Sequence, residues 1–125
     1  MIALDASALL VVLLAEPGHE RARGWLSGAC MSTVNVAEVL DRLARDGDDP
    51  KARAQSVVAF GIEVVPFTLD HARLVAELGP LARAAGLSFG DRACLALAIE
   101  RGVPAATADR AWADLDLPVR IEIVR

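Results

Sequence analysis

Residues 86–102 read GLSFGDRACLALAIERG. Beyond the first turn the segment is unbroken apolar sequence from Ala93 to Ile99. A helix that is apolar on nearly all sides belongs inside a protein, packed against a sheet or other helices. Asp91 nevertheless stands at its start, where a buried carboxylate is costly unless something pairs with it. One role for it is local. Ser88 and Asp91 fit the S/T-x-x-D/E capping box, and the helix dipole favours negative charge there.

Working outward, Ile2-Ala3-Leu4 reads as a short buried strand ending at Asp5, followed by a helix from about Ser7 to Ala15. A second helix runs through HERARGWLS (19–27), and ACMS (29–32) is a second strand. TVNVAEVLDRLARDG (33–47) is an amphipathic helix closed by Gly47, and DPKARAQSVVAF (49–60) is the next. IEVVPF (62–67) is a third strand, before a long helix from Leu69 to about Ala85 that Gly79-Pro80 kinks or divides. VPAATA (103–108) and VRIEIV (119–124) complete five strands. Short apolar strands alternating with helices predict a single α/β domain over residues 1–125, with a mostly parallel central sheet flanked by helices on both faces.

Composition narrows the function. The 125 residues carry a net charge of −4, which argues against holding nucleic acid by phosphate attraction alone. It leaves room for a nuclease, because an acidic site recruits cations that reverse the local potential. The chain is 54% hydrophobic, and that surplus points to an apolar surface covered by a partner. The longest apolar run, Ala8 to Ala15, is too short to span a bilayer and lacks a signal peptide's flanks, so a cytoplasmic, membrane-free protein is expected. Cys30 and Cys94 read as reduced core thiols, and His19 and His71 as isolated surface residues. No nucleotide-binding glycine loop or serine-hydrolase elbow occurs.

In parallel α/β folds, ligands collect beyond the carboxyl ends of the strands. Asp5 ends the first strand there, and Asp91 opens a helix at the same edge. From Asp91 the helix descends roughly 15 Å over ten residues, and the next strand climbs back about 16 Å, returning Asp109 to that level. Glu38 begins one turn lower, but its side chain points back toward the helix start and is long enough to recover the distance. Each acid has a structural alternative: Asp5 and Asp109 as N-caps, Glu38 as an i,i+4 partner of Arg42. Together they are harder to dismiss. Two bare carboxylates about 4 Å apart repel by about 4 kcal/mol at an effective dielectric of 20. Four therefore need protonation, basic neighbours or a metal, and oxygen-only ligands favour Mg²⁺ or Mn²⁺ over zinc.

Four blocks, IALDASALL, STVNVAEVLDRLAR, LSFGDRACLALA and PAATADRAW, carry a resemblance to the PIN-domain ribonucleases, and among them to the VapC-type toxins of toxin–antitoxin pairs. The resemblance implies a Mg²⁺-dependent endoribonuclease, with Mn²⁺ substituting. Its metal site would be Asp5, Glu38, Asp91 and Asp109. It also implies a hydroxyl at Thr107 that orients water or a carboxylate, with Ser7 either joining it or capping the first helix. A small VapB-like antitoxin and a homodimer are the expected partners, besides RNA. Two rivals compete with this reading. One is a PIN-like module that has lost catalysis and only binds. The other, a receiver-like signalling domain, needs an acidic pair after the first strand, an aspartate after the third and a late lysine. Here Asp5 is single, the third strand ends in Pro66-Phe67 and Lys51 is the only lysine.

Overall fold

A computed structural model describes residues 1–125. Its strands are β1 (Ala3–Leu4), β2 (Cys30–Ser32), β3 (Glu63–Val65), β4 (Ala105–Thr107) and β5 (Ile121–Ile123). The helices are α1 (Ala6–Leu13), α2 (His19–Leu26), α3 (Thr33–Arg45), α4 (Pro50–Ala59), α5 (Leu69–Glu77), α6 (Gly79–Ala85) and α7 (Phe89–Arg101). A 3-10 turn, Arg110–Asp114, follows β4. All the strand pairs are parallel and the sheet order is β3-β2-β1-β4-β5. The strands are shorter than the sequence predicts, by one or two residues at an end, although flanking residues such as Ile2, Ala29 and Pro104 still accept backbone hydrogen bonds from the neighbouring strand.

Alternating residues of the central strand feed two cores. Ile2 and Leu4 pack with Leu9, Met31, Val39 and Val57 on one face, while Ala3 packs with Leu95, Leu97, Ala105 and Trp112 on the other. Helix α7 explains its own composition. It touches β1, β2 and β4 as well as α3 and α5, and every residue from Ala93 to Ala98 is buried. Its C-terminus stops at Gly102, whose positive φ of 64° lets the chain turn back into β4.

One expectation is met and another needs correction. The long helix predicted over 69–85 is divided, Leu78 serving as the last cap of α5 and the first of α6. Proline at position 80 has no N–H to continue the ladder. His71, read as a surface residue, is fully buried. Its Nδ1 accepts a hydrogen bond from the Thr68 N–H (3.2 Å), so the proton lies on Nε2, which donates to Glu100 Oε1 (2.8 Å) and ties α5 to α7. The histidine fills the place in a capping box that sequence patterns reserve for Glu or Gln. Thr68→Ala should therefore cost about 1 kcal/mol in a denaturation experiment.

Candidate metal centre

The chain runs from β1 outward to β3 and then returns to the other side of β1, so β1 and β4 are neighbours at a reversal of strand order. Such a switch point opens a crevice at the carboxyl edge. Asp5 stands at its floor, 5% exposed, with its N–H bonded to the Ala106 carbonyl. It occupies the N-cap position of α1 but makes no capping bond. Instead its Oδ2 accepts from the Ser7 hydroxyl (2.7 Å) and the Thr107 hydroxyl (3.1 Å). Ser7 Oγ in turn accepts from the Ala108 N–H, and Thr107 Oγ1 from the Asp109 N–H. Both hydroxyls are thus fixed by the turn after β4.

Burial pushes the Asp5 carboxyl up to about 6, with the negative charges of Asp91 and Glu38 adding to the rise and the two hydroxyls opposing it. Asp5, Glu38 and Asp91 therefore share one field. Glu38 lies on the exposed rim. Its Oε1 accepts from Asn35 Nδ2 (2.8 Å), which leaves the predicted pairing with Arg42 unformed; Arg42 reaches Asp46 instead. Asp91 is half-buried, and its Oδ2 accepts from the Ser88 N–H (2.8 Å) in the capping box. Asp109 is exposed, with its Oδ1 capping the 3-10 turn through the Ala111 N–H.

All four acids lie at the carboxyl edge, but they do not form a closed cage. No three His, Cys, Asp or Glu side chains are grouped to hold an ion as they stand. Asp91 and Asp109 are each turned toward a backbone N–H group. None of the three cavities in the molecule is lined by these acids; the one lined by Met1, Trp25 and Arg120 lies at the opposite, amino edge of the sheet. The acidic edge is open to solvent. Its donor set is oxygen only and fits a hard divalent cation rather than zinc.

Sequence reasoning passes over Asn35. It is a fully buried polar side chain, and its amide also donates to the Gly90 carbonyl (2.9 Å) beside Asp91. A polar residue on the core-facing side of an otherwise apolar helix stripe is the signal that could have found it.

Thr107→Val keeps the shape but strands the Asp109 N–H and removes one donor to Asp5. It should destabilise the fold by about 1–3 kcal/mol, measurable by urea titration.

A PIN domain family model matches residues 2–117. Ribonuclease VapC47 of Mycobacterium tuberculosis is 29% identical over 87 residues, and the match spans 64% of this chain and 64% of that protein, a little under two thirds. Among solved structures, VapC20 of Mycobacterium tuberculosis, described as a sarcin–ricin loop cleaving toxin, superposes with a TM-score of 0.73 at 22% identity, over 96% of this chain and 99% of its own. DNA-bound VapBC from Salmonella typhimurium gives 0.72 at 20% identity, over 99% and 98%. At these identities the two structures establish a shared fold.

Proposed function

The chain belongs to the PIN domain family, and from that premise we propose that it is a divalent-metal-dependent endoribonuclease of the VapC toxin kind, silenced by a small VapB-like antitoxin. The observation that carries this is Asp5, buried at the carboxyl edge in the field of Asp91 and Glu38, with Asp109 following β4 at the same edge. A buried carboxyl in that field is relieved either by a proton or by a cation. The likeness to proteins named as ribonuclease and toxin supports the second.

Asp5 would anchor the ion from below, held in orientation by Ser7 and Thr107. Glu38, Asp91 and Asp109 would close on it from the rim, the two aspartates turning from their backbone caps. Mg²⁺ or Mn²⁺ bound there would activate water and stabilise the oxygens at phosphorus. The open edge suits a long polymer better than a small metabolite, which a closed cavity would hold. With no helix long and apolar enough to cross a membrane, we place the protein in the cytoplasm.

The test is RNA cleavage by protein purified away from any partner. Cleavage should appear with Mg²⁺ or Mn²⁺ and vanish with EDTA. Cleavage that survives EDTA would remove the metal from the mechanism. The absence of turnover under all conditions would favour a binding-only module.

Two partners belong to the same proposal. Val58, Leu69 and Phe89 are large apolar residues left exposed, at 65%, 87% and 50%, which supports a homodimer. Sedimentation at micromolar concentration should show about twice the 13.2 kDa chain mass. The antitoxin would place an Arg or Lys near the acidic edge, arginine's planar fork matching carboxylates bidentately. Replacing that one basic residue in the copurified complex should restore cleavage without dissociating the pair. If no single basic replacement does so, inhibition comes from covering the edge instead.

A further inference from the structure

We propose that Asn35 and Gly90 form a clamp that positions the Glu38 carboxylate, a role that rests on the metal-nuclease reading and adds two residues to it. Asn35 lies in the first turn of α3 and is 0% exposed. Both hydrogens of its amide are used: one goes to Glu38 Oε1 (2.8 Å), the other to the Gly90 carbonyl at the start of α7 (2.9 Å). Both groups it faces are acceptors, so the amide orientation is dictated. A flipped amide would set oxygen against oxygen. The consequence is an Asn35 Oδ1 that is buried without any partner.

Leaving a buried polar atom unsatisfied is destabilising, and an apolar side chain here would avoid it. The fold keeps the amide, and what the amide does is bend a long, exposed, flexible side chain back across the helix that carries Asp91.

Gly90 is the other half of the clamp. A Cβ at this position would overlap the Glu38 carboxylate itself. Its backbone is ordinary helix, with no positive φ, so nothing conformational requires glycine here. Glycine also loses more conformational freedom on folding than any other residue. The missing side chain is therefore the space in which the Glu38 carboxylate lies. Between them Asn35 pulls and Gly90 admits, and the gap between α3 and α7 at the acidic edge is set by that pair. Glutamate held in this way loses its rotamer freedom when the chain folds, not when the ion arrives.

The experiment is Mn²⁺ binding, followed by isothermal titration on wild type, Asn35→Ala, Gly90→Ala, Glu38→Gln and the double variant Asn35→Ala/Glu38→Gln, with Tm measured without metal. Asn35→Ala and Gly90→Ala should each weaken Mn²⁺ binding by about 10- to 100-fold, the range for groups that orient a ligand. Metal-free Tm should hold or rise for Gly90→Ala. In the Glu38→Gln background, Asn35→Ala should weaken binding no further. Unchanged Mn²⁺ affinity in a folded Gly90→Ala protein, or a loss that adds fully to that of Glu38→Gln, would overturn the clamp. Gly90→Ala decides alone if Asn35→Ala does not fold. A wild type that binds no Mn²⁺ would instead overturn the metal-nuclease reading and the clamp with it.

Discussion

Asp5→Asn should abolish RNA cleavage and, without metal, make the protein more stable at pH 8 by up to about 3 kcal/mol. The stability part follows from the position of the carboxyl. Burial raises its folded-state value from 3.8 to about 6, so the fold prefers it neutral. A group shifted upward contributes stability that is fully present below the unfolded value and is lost as pH climbs through the folded one. The window is thus from about pH 4 to pH 6. Above it the buried charge costs about 1.4 kcal/mol for every pH unit that separates the folded value from the unfolded one. Asparagine has no charge to bury, and it still offers Ser7 and Thr107 an oxygen. The gap between variant and wild type should therefore be large at pH 8 and nearly closed at pH 4. Adding Mg²⁺ should reverse the order, because a ligand that binds only the folded wild type stabilises only the wild type. A pH-independent gap in thermal denaturation would mean that Asp5 carries its charge without strain.

Asp91 poses the sharper question, since it visibly performs the local task. Ser88→Ala removes the acceptor for the Asp91 N–H and should cost about 1 kcal/mol, leaving cleavage within a few-fold of wild type. Asp91→Asn retains an oxygen for the Ser88 N–H, so its stability should change by about 1 kcal/mol or less, while cleavage falls to background. The two variants divide the roles: one loses the cap and keeps the chemistry, the other does the reverse. If Asp91→Asn cuts RNA as wild type does, Asp91 is a cap and nothing more.

The periodicity of the sequence is enough to place the five strands and to recognise the burial of α7, since both follow from which residues are apolar and at what spacing. It also places Asp5 at the carboxyl edge, whereas Ser7 and Thr107, which the structure sets against Asp5, are suggested by the family resemblance alone. The side-chain directions are beyond it. Glu38 answers to Asn35 and to Gly90, which lies 52 positions further along, and no local spacing rule reports a contact of that kind. Asp109 does take the N-cap role offered as its structural alternative, but the 3-10 turn it caps has five residues, too few to leave a period. His71 misleads because its neighbours in sequence are charged, while its neighbours in space are Phe67 and Glu100.

The central place of β1 in the sheet has a consequence for when activity can begin. Asp5 leaves the ribosome 102 residues before the hydroxyl of Thr107 that fixes it. At about 5–20 residues per second, that is a delay of roughly 5–20 s. Until β4 inserts beside β1, the edge that would hold the cation has no second wall, whatever the earlier helices have already done. A chain stopped short of β4 would lack both the Thr107 bond to Asp5 and Asp109. For a protein proposed to cut RNA, the order of synthesis itself postpones the hazard until the last strands are in place.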